Sequence, residues 1–222
     1  MYRDDSGSHY DELDTTMASG RLYTRKWVKR AHALYRTGAL HDCLFGIRSG
    51  FFKSTVALED GREQVVGFHM AGDFLGIDGI DGECHASDAV ALEDSEVYIM
   101  PLARLDEPGV QRQIYKAMSR ELVRDRSAMI LLGTMRSSER VAAFLLGLSQ
   151  RLVEQGCSSR EFHLRMTRQE IGSYLGLSLE TVSRLLSRFQ HDHLVYVNGK
   201  HIHIRDAAAL RGLLGEARRQ HA

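Results

Sequence analysis

Residues 167–195 read TRQEIGSYLGLSLETVSRLLSRFQHDHLV, and the spacing within this stretch predicts two short helices joined by a tight turn. Thr167 followed three residues later by Glu170 is a capping box, in which each side chain satisfies an amide left over at the start of a helix. Ile171, Tyr174 and Leu175 give that helix an apolar face, and Gly176 admits the left-handed backbone that ends it. Ser178 then caps a second helix, and its Val182, Leu185, Leu186 and Phe189 recur at helical spacing as a buried stripe. Two short helices around a glycine-containing turn of this length form a helix-turn-helix.

Opposite that stripe the second helix carries Glu180, Thr181, Ser183, Arg184, Ser187 and Arg188. Arginine suits guanine O6 and N7, a carboxylate accepts from the cytosine amino group, and small hydroxyls suit phosphate or thymine. The plain alternative is a surface ion pair between Glu180 and Arg184, one helical turn apart and worth a few tenths of a kcal/mol. Context favours base reading. The helix is preceded by a capped partner and followed by LVYVNGKHIHI (194–204), which alternates around Asn198-Gly199 and predicts a hairpin with a type I′ turn, a wing. Lys200 and His201 on the wing, with Thr167, Arg168 and Ser178 at the helix starts, join the candidate DNA contacts.

Working outward, residues 21–100 are short apolar stretches punctuated by glycine: HALYRTG, CLFGIRSG, FFKSTVALEDG, EQVVGFHMAGDFLG and SEVYIMP. Such spacing indicates an antiparallel roll or jelly roll, with a primed hairpin turn expected at Asp60-Gly61. Pro101 and Pro108, the only prolines, mark where glycine punctuation gives way to helical periodicity. From Val110 to Met135 the positions Ile114, Met118, Leu122, Asp125, Met129 and Leu132 recur at steps of four and three, which predicts a helix of roughly 39 Å. Pairing of this stripe with its twin in a parallel coiled coil is the expected use, with packing against the roll as the alternative. The segment SSERVAAFLLGLSQRLVEQG (137–156) reads as a core helix that stops at Gly156. The fold class expected is α+β, with a flexible tail at 1–20, a β-roll sensor domain at 21–108, a dimerisation helix at 109–136 and a winged helix-turn-helix at 137–222.

Composition adds bounds. The chain has 222 residues, 43% of them hydrophobic, and equal numbers of basic and acidic side chains. The balance is uneven: Lys and Arg against Asp and Glu number 11 against 19 in residues 1–110, 8 against 4 in 111–159, and 10 against 6 in 160–222. A basic second half is what phosphate contact requires. Cys43, Cys84 and Cys157 are few, odd in number and widely separated, which fits a reducing cytoplasm and leaves a redox switch as a minor possibility. No apolar run is long enough to span a bilayer.

The sequence resembles the CRP/FNR family of bacterial regulators over about 200 residues, most closely its FNR branch. The likeness is carried by LYRTG, IRSG, VVGFHMAGDFLG and ERVAAFLLGLSQR, and above all by EFHLRMTRQEIGSYLGLSLETVSRLLSRFQ. Glu180, Ser183 and Arg184 match the E-x-x-S-R pattern of that branch, whereas the cyclic-AMP branch has an arginine where this chain has Leu179. The resemblance implies a homodimer on a two-fold site similar to TTGAT, four bases, ATCAA, with Arg184 on guanine and Glu180 on the opposite strand. It also implies that Glu59, Asp60, Gly61, Arg62 and Glu63 face RNA polymerase.

Two departures bear on cofactors. The iron-sulfur members hold their cluster on cysteines of an N-terminal extension and one in the roll, but the first cysteine here is Cys43 and the roll position in SEVYIMP is Tyr98. Nucleotide-binding members place Arg-Ser in the phosphate cassette, where GECHASDAVAL offers His85 and Ala86. Neither an iron-sulfur cluster nor cyclic AMP is therefore expected. The family aspartate of the long helix is matched to Ser127, which would remove a like-charge pair from the dimer seam. The other classes weighed are a cupin-like metalloenzyme on His32, His41, His69 and His85 and an effector-binding module acting through protein contacts, but no metal or catalytic motif supports an enzyme.

Overall fold

A computed structural model describes residues 24–219. The tail expected at 1–20 lies outside the described residues. The chain divides into two compact units, with the division falling between Leu122 and Val123.

The first unit is built on two four-stranded antiparallel sheets. One has the order β1-β8-β3-β6 and the other β2-β7-β4-β5. The strands are β1 (Thr24–Val28), β2 (Ala33–Tyr35), β3 (Cys43–Ser49), β4 (Phe51–Ala57), β5 (Glu63–Met70), β6 (Phe74–Leu75), β7 (Asp88–Ala91) and β8 (Ser95–Pro101). Leu34, Tyr35, Phe45, Ile47, Phe52, Leu75, Ala89 and Val97 come from both sheets and form one buried cluster. β3 is apolar in a nearly continuous run rather than by strict alternation because both of its faces are covered. Phe45 and Ile47 enter that cluster, while Leu44 joins a second one with Phe74, Tyr98 and Met100.

What covers this second cluster is the beginning of a long helix, α1 (Pro108–Thr134). Val110, Ile114 and Ala117 pack there and are at most 5% exposed. Ile114 is therefore not part of an intermolecular stripe. The first turns of α1 answer to the roll, because Leu44, Phe74 and Met100 would otherwise face water. Farther along, Met118, Leu122, Met129 and Leu132 stay 40–72% exposed, with Asp125 exposed between them. At 100° per residue Ser127 lies about 160° around the helix from Asp125. Its hydroxyl donates to the Val123 carbonyl at 2.8 Å. The expectation that Ser127 relieves a charge on the stripe fails, since the carboxylate on that line is Asp125.

The second unit contains the C-terminal part of α1, then α2 (Ser137–Glu154), β9 (Glu161–His163), α3 (Arg168–Leu175), α4 (Leu179–His191), β10 (Val195–Asn198), β11 (His201–Ile204) and α5 (Ala207–Arg219). Its core is Val141, Leu145, Phe162, Met166, Ile171, Leu175, Val182, Leu186, Phe189, Val195, Ile202 and Leu210, each at most 7% exposed. α2 closes at Gly156 in a left-handed conformation, as its composition predicts. Among the described residues no helix is long and apolar enough to cross a membrane.

Both hairpin turns differ from expectation in the same way. Positive φ is confined to Gly61 and Gly199; Asp60 and Asn198 do not adopt it. At 58–62, Gly61 N–H returns to Leu58 and Leu58 N–H bonds Arg62, which fits a type I turn followed by a glycine bulge. In the wing Asn198 pairs with His201, so the two central residues are Gly199 and Lys200. Glycine at the first central position fits type II′, not type I′.

Candidate nucleic-acid interface

Local bonds build the helix pair as the residues dictate. The Thr167 hydroxyl oxygen accepts from Glu170 N–H at 3.2 Å, and the Glu170 carboxylate accepts from Thr167 N–H at 2.7 Å. Gly176 adopts φ 63°, and Leu177 N–H donates back to the Gly172 carbonyl at 2.8 Å. This close return also explains Gly172, to which sequence reading assigned no role: a Cβ there would lie 2.6 Å from the Leu177 oxygen. Ser178 opens α4, its hydroxyl oxygen accepting from Thr181 N–H at 3.1 Å.

α4 buries Val182, Leu185, Leu186 and Phe189 and turns Glu180, Arg184, Ser187 and Arg188 outward, with Thr181 and Ser183 half-buried at the margin. Among the described residues no ion pair joins Glu180 to Arg184, so the surface-pair alternative is not what this helix does. Its own amide and the Ser178 hydroxyl hold the Glu180 carboxyl below its ordinary value, which keeps it an ionised acceptor at neutral pH. Arg188 is partly engaged by Asp192 at 3.6 Å, and Ser187 Oγ donates to the Ser183 carbonyl. Of the outward set, Glu180 and Arg184 are the pair whose side chains remain available to an outside partner.

The wing contacts are more occupied than the sequence implies. Lys200 Nζ donates to the Arg165 carbonyl at 3.0 Å, and His201 Nε2 lies 2.9 Å from Glu161 Oε1. Arg168 Nη2 reaches the Gly199 carbonyl at 3.4 Å. Sequence reading missed Gln190, whose Oε1 accepts from Val197 N–H at 2.9 Å and ties α4 to the wing. No local signal marks such a bond, because its partners meet only once β10 is placed. Between the end of α4 and the wing lies an open cleft of about 630 Å³, lined by Arg168, Ser187, Gln190, His191, His193 and Gly199 among others. Its walls mix polar side chains and the Arg168 cation with apolar Leu186 and Val197, and the cation is the part that suits a phosphate.

The other candidates sit apart from these helices in the chain. The turn Glu59–Glu63 is exposed throughout, and Asp60 and Arg62 form an ion pair of 2.6 Å within it. Cys43 is half-buried, and burial together with Asp42 pushes its thiol up to about 12, which removes thiolate character at neutral pH. Cys84 and Cys157 are exposed free thiols. In the cassette loop His85 is buried, stacked on Tyr35 with ring centroids 3.7 Å apart and met edge-on by His41 at 4.6 Å. Neither ring nitrogen of His41 nor Nδ1 of His85 has a hydrogen-bond partner. Among the described residues no group of three or more His, Cys, Asp and Glu side chains is arranged to hold a metal ion.

Comparison with known proteins agrees with this architecture. Residues 139–213 match the Crp-like helix-turn-helix domain, and residues 25–107 match the cyclic nucleotide-binding domain. The chain is 44% identical over 194 residues to the transcriptional regulatory protein Btr of Bordetella pertussis, covering 85% of this chain and 80% of that protein. It is 43% identical over 210 residues to the fumarate and nitrate reduction regulatory protein of Yersinia pestis, covering 92% and 82%. Among solved structures it is similar to FixK2 from Bradyrhizobium japonicum, with a TM-score of 0.78 and 30% identity over 87% of this chain and 98% of that one. A helix-turn-helix with an outward Glu180 and Arg184, behind a roll of this kind and at these levels of identity, places the chain in the CRP/FNR family of DNA-binding transcription regulators.

Proposed function

We propose that two copies of this protein pair through the exposed part of α1 and read a two-fold-symmetric promoter site resembling TTGAT, four bases, ATCAA, with no cyclic nucleotide or iron-sulfur cluster required. The observation that carries the reading is the outward placement of Glu180 and Arg184 in the first two turns of α4, with no ion pair between them. Arg184 takes guanine through its fork of donors, and Glu180, held ionised, accepts from cytosine on the other strand. Thr167, Arg168, Ser178 and Thr181 lie at the helix starts, where free amides and short side chains meet phosphate. The pairing stripe is Met118, Leu122, Asp125, Met129 and Leu132, whose apolar members have heptad spacing and stay 40–72% exposed among the described residues. The turn Glu59–Glu63, carrying Glu59, Asp60, Gly61, Arg62 and Glu63, is the surface offered to RNA polymerase.

The cofactor reading rests on fit. A cyclic nucleotide needs a cation for its phosphodiester, and the cassette loop supplies His85 and Ala86. The rings of Tyr35, His85 and His41 occupy the space beside that loop, and even a Cβ on Gly79 would come within 2.7 Å of His41. The nucleotide does not fit these residues. An iron-sulfur cluster fits no better, since Cys43 is a poor thiolate and only Cys84 and Cys157 remain.

Binding-site selection on the pure protein without effector tests the whole reading. A palindrome with TTGA half-sites is the expected product. Binding that appears only after addition of cyclic AMP, or after cluster reconstitution, would overturn the cofactor part while leaving the site intact.

A further inference from the structure

Arg140, in the first turn of α2, bonds three main-chain carbonyls on three different segments of the second unit. Its Nε donates to Met135 at 2.9 Å, Nη1 to Leu175 at 3.1 Å and Nη2 to Leu132 at 2.6 Å. Leu132 lies in the last turn of α1, Met135 in the link between α1 and α2, and Leu175 is the last residue of α3, the first helix of the DNA-reading pair. The last carbonyls of a helix have no partner within it, so one guanidinium here satisfies acceptors at the ends of two helices. The packing agrees: a Cβ at position 176, in the turn of the helix pair, would lie 3.4 Å from Arg140 Nη1 and 3.7 Å from Leu132 Cδ2.

We propose that Arg140 is a positioning residue that fixes the angle of the helix-turn-helix to the end of α1, and so sets which spacing between half-sites the paired protein accepts. The inference rests on the DNA-reading and pairing described above. If the two copies join along α1, the attitude of α3 and α4 to its last turn decides how far apart the two reading helices lie. Surface lysines cannot substitute in this role. Arginine presents its donors in a rigid plane that reaches three acceptors at once, whereas a lysine ammonium is a single point on a flexible stem. A role in neutralising phosphate would need only the charge, and lysine would then serve.

The test measures binding of the full-length protein, Arg140→Lys and Arg140→Ala to the selected palindrome and to versions with the spacer one base pair shorter or longer. Loss of one charge-assisted bond corresponds to roughly tenfold in an equilibrium constant, so wild type should prefer its own spacer by about tenfold or more and both variants by less than about threefold. Discrimination against a changed guanine within the half-site should survive in the variants. A wild-type spacer preference in Arg140→Lys would overturn the proposal, as would an equal loss on all spacers with the ratio unchanged. Arg140→Lys keeps the test decisive should Arg140→Ala fail to fold. Wild type binding no selected sequence at all would instead overturn the DNA reading itself, and this inference with it.

Discussion

The outer face of α4 and the cassette loop of the roll each carry polar and basic side chains on a rigid scaffold, yet they treat them in opposite ways. On α4, Glu180 and Arg184 are exposed and take no partner from each other. In the roll, His85 and His41 are 3–4% exposed, stacked among rings, and three of their four nitrogens have no hydrogen-bond partner. A side chain meant to recognise a charged or hydrogen-bonding partner must reach it without first being desolvated for nothing. By that criterion the outer face of α4 fits a reading surface, whereas the His85 and His41 rings of the cassette region are packed interior, although the two arise from segments of one family scaffold.

The largest expected effect breaks the open side of this comparison. Arg184→Ala removes one guanine contact per half-site, about 1–3 kcal/mol each, so the paired site loses roughly 2–6 kcal/mol. Fluorescence anisotropy on the selected palindrome and on one with that base pair changed should show the variant indifferent to the change. An equal loss on both sequences would reduce Arg184 to a phosphate contact. A step smaller is Gly172→Ala, whose new Cβ meets the Leu177 carbonyl at 2.6 Å in the turn that sets α4. Forcing that contact costs about 1–3 kcal/mol, and it should lower the melting of the C-terminal unit while the roll transition stays put. A variant as stable as wild type would show that the turn relaxes freely.

Which features were legible follows the range of the bonds that make them. Thr167, Glu170, Gly176 and Ser178 act within four residues, so a short window of sequence contains the whole reason for each cap and turn. The places of the two hairpins are legible in the sequence but their turn types are not, because turn type depends on which residues pair across the strands, and Asn198 pairs with His201 rather than turning. Ile114 shares the periodicity of Met118 and Leu122, and periodicity says that a face is covered without saying by what. Ser127 and Asp125 are two residues apart, a step that leaves composition unchanged while moving a side chain to the other side of a helix, so only the helix geometry tells which of them lies on the stripe. The bonds of Gln190 to Val197 and Arg140 to Leu175 were not readable, since nothing near either residue in sequence announces a partner 7 or 35 positions away.

The stripe of α1 offers a sharper contrast within one helix, between turns that the roll covers and turns that stay exposed among the described residues. If a second copy covers Met118–Leu132, two Asp125 carboxylates approach each other near the seam. Like charges some 4 Å apart in a water-like dielectric repel by about 1 kcal/mol, so Asp125→Asn should tighten the dimer by roughly fivefold. Sedimentation equilibrium at low salt measures it, and the gain should shrink as salt is added. An unchanged dissociation constant would place the seam elsewhere.

The smallest effect tests the closed side. Burial first, and then the neighbouring His41, lower the proton affinity of His85 below the ordinary imidazole value. The unfolded chain takes up this proton near pH 6.5, above the point at which the folded protein does. Between those two pH values the unfolded state holds more protons, so stability rises with pH across the window. The contribution is complete above about pH 6.5 and is lost as the pH falls toward the folded value of His85. Asp88, whose carboxyl is lowered by Thr37 and Arg36 against the opposing effect of its burial, loses its contribution in a separate and more acidic window. Calorimetry of wild type and His85→Phe at pH 7.5 and 5.5 reports on the imidazole together with the neighbours it couples to, chiefly His41, because groups remote from position 85 cancel in the difference. Phenylalanine keeps the stack on Tyr35 and carries no proton, so the roll of the variant should lose less melting temperature between the two pH values than wild type does. Equal losses in both proteins would mean that His85 meets solvent in the folded state, and the cassette would then have to be regarded as open, which is the same error of kind as regarding α4 as closed.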